Sequence, residues 1–359
     1  MNLKEYGWNE FFEKEWKKNS AAGMFPGRVI ADYGQIVRVI TEEGELSVNR
    51  PVNRPEEAML LAVGDWVALE YSQDAKAHHI RFVLARKTKF SRAGAGRELK
   101  EQIVAANVDT VFLIQSLNRD FNMRRLERYI ITAWESGAIP VVVLTKADCC
   151  DEVEEKTAIA CSAVPGVEVI AISCITGEGV DEIRKHLAPG KTIALLGSSG
   201  VGKSTLLNYL AGKEILKTGE IREDDDRGRH TTTHRELVLL PEGGLILDTP
   251  GMRSLSLWEA DTGMELMFGD IEEMVKQCRF HDCKHKNEPG CVIRFALNKG
   301  TLDRKRWESW LKLQKELVNF EHRREMKQKI KEKQWIKQIS GSKDNRQSIK
   351  TGIKNMDMD

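Results

Sequence analysis

The 359-residue chain reads as a multidomain protein. An N-terminal all-β barrel of the oligonucleotide-binding (OB) kind precedes a central α/β domain built on a P-loop and a C-terminal helical zinc-binding domain. Three observations predict this. From Val108 onward, apolar strands without polar alternation take turns with helical segments, the pattern of a doubly wound sheet buried on both faces. A glycine-rich loop, Gly197-Ser198-Ser199-Gly200-Val201-Gly202-Lys203-Ser204-Thr205, follows the apolar run Ile193–Leu196 and precedes Leu206–Leu210, which reads as strand, loop, helix. Cys278, Cys283, His285 and Cys291 crowd into one short polar stretch, as metal ligands do. The length also exceeds what one hydrophobic core usually serves.

Residues 1–24 place Trp8, Phe11, Phe12 and Trp16 at helical spacing among charges, predicting an amphipathic helix that packs against its own chain. Residues 25–95 hold short β-rich runs, Gly27–Ile30, Gln35–Ile40 and Asp65–Glu70, separated by turn residues, hence the small barrel. Arg86, Lys87, Lys89 and Arg92 follow its last strand and would supply phosphate contacts if RNA lay across it. Residues 96–254 form the α/β domain: strands at Thr110–Ile114 and Pro140–Leu144 flank a helix over 123–136. Four further strands are expected at Val167–Ile172, Thr192–Leu196, Glu236–Leu240 and Leu245–Asp248. Residues 255–321 are helical and cysteine-rich, with Trp307, Trp310, Leu311, Leu317 and Phe320 on one stripe of a long helix. Residues 322–359 form a basic tail, with eleven Lys or Arg against three Asp or Glu between His322 and Lys354, and beyond Ser340 the chain is expected to be disordered. Such a tail suits nucleic acid or another anionic surface.

The loop's chemistry is specific. Its glycines let backbone N–H groups curl around a β-phosphate while the next helix aims its positive N-terminus at the same anion. Lys203 would reach the β- and γ-phosphates, and the Ser204 hydroxyl would hold a Mg²⁺ bridging them. Thr145-Lys146-Ala147-Asp148 follows a buried strand, where a carboxylate can accept hydrogen bonds from guanine N1–H and its 2-amino group; adenine offers neither donor. Burial of Asp148 would make that preference strong. The Lys146 stem would pack on the base, and Thr145 stands where Asn is more usual. Ser173-Cys174 fits the segment whose backbone N–H meets guanine O6. Downstream, Arg229-His230-Thr231-Thr232-Thr233 suits closure over a γ-phosphate, with Thr232 or Thr233 completing Mg²⁺ coordination. Asp248 would hold a water of the ion, and the Gly251 N–H would touch the γ-phosphate. The ligand set is therefore GTP or GDP with Mg²⁺.

The order of these segments is unusual, since Asp148 and Ser173 precede Gly197. Strands in a sheet need only be adjacent in space, so a circularly permuted chain can rebuild the same pocket. The cut follows Gly251, so the γ-phosphate sensor runs directly into the C-terminal domain and could move it. Met252 occupies the position of a water-orienting glutamine. A thioether cannot orient water, so slow intrinsic turnover is expected, with His230 or a partner supplying the group.

Cys278, Cys283, His285 and Cys291 form a C-x4-C-x-H-x5-C array suited to a closed, structural tetrahedral Zn²⁺ site. His281 is a fifth candidate by spacing. A stretch so poor in apolar residues would hardly fold without the ion. No apolar run approaches a membrane span, and acidic residues stand where a signal peptide would be apolar, so the expectation is a cytoplasmic protein with no membrane partner.

On its β-barrel, Thr145–Asp148, Gly197–Thr205, Gly228–Thr233, Asp248–Gly251 and Cys278–Cys291, the chain resembles the circularly permuted, ribosome small subunit-dependent GTPase A family over residues 25–320. That resemblance implies an OB barrel, GTP hydrolysis stimulated by the small ribosomal subunit, contact with its rRNA during late subunit assembly, and zinc on the three cysteines and His285. A monomer is expected. The alternative reading is an RNA-binding assembly scaffold in which GTP is a structural ligand. Zinc-dependent hydrolysis is disfavoured, because four protein ligands leave no position for water.

Overall fold

The computed structural model describes residues 1–51, 60–93, 101–118, 121–215, 235–248 and 261–341. Helix α1 (Glu10–Asn19) is capped by the Asn9 side chain, which accepts from the Phe11 N–H, a bond that starts a helix by satisfying an orphan donor. Its Phe12 is buried against Trp66, ring centroids 5.6 Å apart, and Trp8, just before the helix, meets the same ring at 4.8 Å. The amphipathic face therefore packs on its own chain.

Strands β1 (Met24–Asp32), β2 (Ile36–Thr41), β3 (Gly44–Asn49), β4 (Trp66–Ser72) and β5 (Ala77–Val83) pair antiparallel in the order β3-β2-β1-β4-β5. Val29, Val37, Val39, Val67 and Leu69 fill their buried side. Beneath them the carboxylate of fully buried Asp65 accepts from Arg86 at 2.6 and 2.8 Å, and Arg86 also donates to the Leu60 carbonyl. The expectation of an RNA-facing Arg86 is thus corrected, because its guanidinium neutralises a buried charge. A hairpin of β6 (Lys89–Ala93) and β7 (Glu101–Ala106) follows and straddles the boundary expected at residue 95. An isolated bridge from Val63 to Ala105 ties it to the barrel. Gly64, at φ +95°, makes this approach possible, since a Cβ there would lie 2.0 Å from the Ala106 carbonyl oxygen.

The α/β unit runs β8 (Thr110–Ser116), α2 (Met123–Ser136), β9 (Ile139–Thr145), a 3₁₀ turn (Ala147–Cys149), α3 (Val153–Ala163), β10 (Glu168–Ala171), α4 (Val180–Arg184), β11 (Thr192–Gly197), α5 (Lys203–Ala211), β12 (Arg235–Leu239) and β13 (Leu245–Asp248). Strands β10-β9-β8-β11-β13 are all parallel. The strand expected over 236–240 departs from that set: β12 runs antiparallel to β13, and its other edge pairs with β1 of the barrel at Ala31↔Glu236 and Asp32↔Arg235. Barrel and α/β sheet are therefore joined edge to edge, which leaves neither edge open there.

Helices α6 (Asp261–Lys276), α7 (Val292–Lys299) and α8 (Arg304–Gly341) complete the described chain. Helix α6 lies against α2, where a Cβ on Gly263 would come within 2.4 Å of the Ile131 carbonyl oxygen, and the Gly263 N–H donates to Glu135. Helix α8 is continuous through residue 322. Its buried side carries Trp307 and Leu313, whereas Leu311 is exposed; the stripe advances by threes from Trp307 through Trp310 to Leu313, and Trp307 and Trp310 stack at 5.0 Å. Arg128 of α2 pairs with Glu316 at 2.9 Å.

Candidate nucleotide site and metal centre

The wholly buried strand β11 delivers Gly197 to the C-terminal edge of the parallel sheet, where ligands of such sheets sit. A Cβ at Gly197 would meet the Ile114 carbonyl oxygen at 2.4 Å. Gly200 and Gly202 have φ of +73° and +97°, so the loop curls as only glycine does without strain, and Gly202 caps α5. Lys203 opens that helix, and its Nζ donates to the Gly197 carbonyl at 2.9 Å and to that of Ser198. Ser204 is half-buried in the first turn and Thr205 exposed.

The second segment comes from the adjoining strands. Thr145 ends β9 and is buried; its hydroxyl donates to the Val201 carbonyl at 2.6 Å, with the Gln115 carbonyl at 3.2 Å. Lys146, at φ +62°, donates from Nζ to the Gly200 carbonyl at 2.9 Å. Two residues of the Thr145–Asp148 segment thus clasp the backbone of the glycine-rich loop. The unusual Thr145 makes with one hydroxyl a bond that needs only a donor.

Asp148 is exposed, which corrects the expectation of a buried carboxylate; guanine preference must come from the paired donors of the base and not from burial of the unliganded side chain. Its Oδ1 accepts from the Ser173 hydroxyl at 2.6 Å and its Oδ2 from the Cys149 thiol at 3.1 Å. These bonds, Ser173 first and Cys149 second, hold the carboxyl below its ordinary pKa. Cys149 is a participant that sequence reasoning missed; its only signal was adjacency to Asp148. Ser173 is fully buried and accepts from the Ile175 and Thr176 N–H groups, while the Ala147 N–H donates to the Ile172 carbonyl. Burial, and then the Asp148 charge, push the Cys174 thiol up to about 11. Asp248 terminates β13. His230, Thr232, Thr233, Gly251 and Met252 lie outside the described residues.

The metal ligands converge independently. Cys278 follows α6, Cys291 caps α7, and His285 takes φ +57° between them. The four ligand atoms lie within 4.8 Å of one another, and His285 Nδ1 is 3.6 Å from Cys278 Sγ and 3.5 Å from Cys291 Sγ. A tetrahedral zinc with Zn–S near 2.3 Å and Zn–N near 2.05 Å requires an N···S edge of about 3.6 Å. The donor set therefore fits Zn²⁺ through Nδ1. The Trp307 ring stands edge-on to His285 at 5.3 Å, fixing its orientation. Exposed His281 is not in the cluster, which closes the fifth-ligand alternative.

A parallel sheet with a phosphate loop after its central strand, clasped by a guanine-type segment that comes earlier in the chain, defines a circularly permuted P-loop protein. The model of the RsgA GTPase family matches residues 83–258. The small ribosomal subunit biogenesis GTPase RsgA 1 of Listeria innocua is 45% identical over 321 residues, 89% of this chain and 90% of its own length. Its counterpart in Syntrophotalea carbinolica is 40% identical over 350 residues, 94% and 96% respectively. This chain belongs to the RsgA GTPase family. Among solved structures, YjeQ from Thermotoga maritima superposes with a TM-score of 0.58 at 26% identity, covering 82% of this chain and 99% of that one. YloQ, a circularly permuted GTPase, shares the fold with a TM-score of 0.57 at 22% identity over 85% and 98%. A model of ABC transporters also matches residues 180–354. That match takes in the phosphate loop common to many nucleotide-binding families but begins after Thr145–Asp148 and Ser173. Among the described residues no helix is long and apolar enough to cross a membrane.

Proposed function

We propose that this protein is a GTP hydrolase that works on the assembling small ribosomal subunit, as the names of its relatives state for them. The observation that carries the reading is the bond from Thr145 to the Val201 carbonyl at 2.6 Å, beside that from Lys146 to Gly200. These two bonds join a base-reading segment to a phosphate loop more than fifty residues later, and neither segment alone would require the other.

In this reading the Gly197–Thr205 loop cradles the β- and γ-phosphates, Lys203 neutralises their charge, and Ser204 carries Mg²⁺, which supplies charge neutralisation between the phosphates. Asp148 exchanges its Ser173 and Cys149 donors for guanine N1–H and the 2-amino group, the Lys146 stem lies along the base, and the turn after Ser173, whose own N–H donates to the Glu178 carbonyl, presents the Cys174 N–H toward O6. Thr232 or Thr233, Asp248 and Gly251 respond to the γ-phosphate, and His230 or a group of the subunit orients the attacking water in place of a glutamine. Cys278, Cys283, His285 and Cys291 hold a structural Zn²⁺ that braces the helices carrying the signal. The barrel (25–95) and the basic segment after His322 grip rRNA. The protein acts as a monomer in the cytoplasm.

Co-sedimentation with purified small subunits at fixed salt tests this. A non-hydrolysable GTP analogue should retain the protein on subunits and GDP should release it. Equal retention with both would leave an assembly scaffold in which GTP only orders the fold.

A further inference from the structure

We propose that the seam between the barrel and the α/β sheet carries a site for the phosphates of single-stranded RNA, centred on Arg235 of β12 with Arg50 and Arg92 beside it. The proposal rests on the reading that the barrel meets RNA, and it adds a contact from the nucleotide-binding domain itself. Strand β12 lies between β1 and β13, with Arg235 opposite Asp32 on one side and the next residue, Glu236, opposite Asp248 on the other. A phosphate held at Arg235 therefore sits one residue along β12 from the partner of Asp248.

Three features point to an anionic backbone. First, Arg235 is half-buried, yet its side chain makes no hydrogen bond or ion pair among the described residues. A guanidinium taken partly out of water needs an acceptor. Arg38, on the other face of the same joint, shows the ordinary outcome: it pairs with Glu45 at 2.6 Å and with Glu236 at 3.4 Å. Second, the surrounding charge is unbalanced. Asp32 stands directly across from Arg235, but its carboxylate is already taken by Arg50 at 2.8 Å, and Arg50 is fixed further by the carbonyls of Gly34 and Leu61. Burial, and next the charge of Arg92, lower the Arg235 pKa; Asp32 works against that shift and Arg50 adds to it. Among the described residues, the charges that act on Arg235 are thus two arginines and one carboxylate. Third, the cations come from separate elements, Arg50 just after β3, Arg92 in β6 and Arg235 in β12. A planar guanidinium fork matches phosphate oxygens two at a time, and cations spread over several elements suit a backbone that passes across them better than one small enclosed ion.

The test is fluorescence anisotropy of a labelled single-stranded oligouridylate titrated with the full chain, saturated with GDP, over a series of salt concentrations. Arg235→Gln should weaken binding about ten-fold and reduce the slope of log affinity against log salt by about 0.7, the share of one phosphate on a single strand. Arg235→Lys, which keeps the charge and loses the fork, should restore the slope and part of the affinity. Because burial disfavours the charge of Arg235, Arg235→Gln should leave the melting temperature equal or higher, whereas loss of an arginine with a structural role would lower it. Unchanged affinity and slope in Arg235→Gln would overturn the site, as would a loss of affinity matched by a lower melting temperature in both variants. Inorganic phosphate that raised the melting temperature through Arg235 as strongly as the oligonucleotide does would also overturn it, in favour of a free-anion site. A wild-type chain that bound no oligouridylate would instead remove the RNA reading of the barrel together with this one.

Discussion

Replacing Thr145 by valine keeps the volume of the side chain and deletes the one hydroxyl that joins the base-reading segment to the phosphate loop. The bond is short, 2.6 Å to the Val201 carbonyl, and the side chain is 3% exposed. Water therefore cannot replace the lost donor cheaply. Removing one partner of a buried hydrogen bond costs about 1–3 kcal/mol, which in a domain of this size lowers the melting temperature by roughly 2–4 °C per kcal/mol. The same change frees the Val201 carbonyl to shift, and with it the curl of Gly200–Gly202. GDP affinity should fall roughly ten-fold, equivalent to about 1.4 kcal/mol, while the preference for guanine over adenine stays as it was, because Thr145 points at the loop and Asp148 is untouched. Calorimetric titration with GDP and ADP, alongside thermal melts, measures all of this. If Thr145→Val lowered guanine preference while leaving stability and the GDP affinity intact, Thr145 would be a base-reading residue and the clasp would be wrong.

Ser173→Ala removes the strongest influence holding Asp148 ionised. Because native Asp148 has a depressed pKa, GDP binding should persist as pH falls toward about 4, and in the variant it should begin to weaken at a higher pH; superimposable pH profiles would contradict the assignment. Stripping metal with a chelator, or Cys291→Ser, should release one zinc per chain and speed amide exchange across 261–300, with GDP affinity little changed. Arg86→Met leaves Asp65 buried and unpaired, so it should cost about 3–5 kcal/mol of stability; RNA affinity measured on the remaining folded protein should be unaltered, whereas a selective loss of RNA binding with normal stability would return Arg86 to the surface role.

Legibility in the sequence followed from how much one residue's identity constrains its surroundings. Runs such as Val111–Ile114 and Ile193–Leu196 admit only strands buried on both faces, so the parallel sheet was legible. The spacing of Cys278, Cys283, His285 and Cys291 brought its own geometry. Glycines at 197, 200 and 202 dictated a curl that other residues resist. The rest depended on pairings between distant residues. Hairpin β6–β7 opens on polar residues such as the Lys89–Glu101 pair, and its buried run Ile103–Ala106 is too short and too rich in alanine to announce a strand by itself, so it escaped notice. The antiparallel β12 looks locally like its parallel neighbours; its direction is set by β13 and β1. Arg86 reads as a surface cation because its partner, Asp65, lies twenty-one residues earlier in the chain. The Thr145 hydroxyl partner and the Cys149 contact to Asp148 belong to the same class. Along α8, Leu311 and Leu313 are both apolar, and only the position of α6 and α2 decides which one faces inward.

The most direct measurement is multiple-turnover hydrolysis by the purified protein, with GTP and ATP compared, in the presence and absence of small ribosomal subunits. Slow cleavage of GTP that rises sharply when subunits are added, with ATP left intact, is the predicted result. Equal cleavage of the two nucleotides, or a GTP rate indifferent to subunits, would contradict the account.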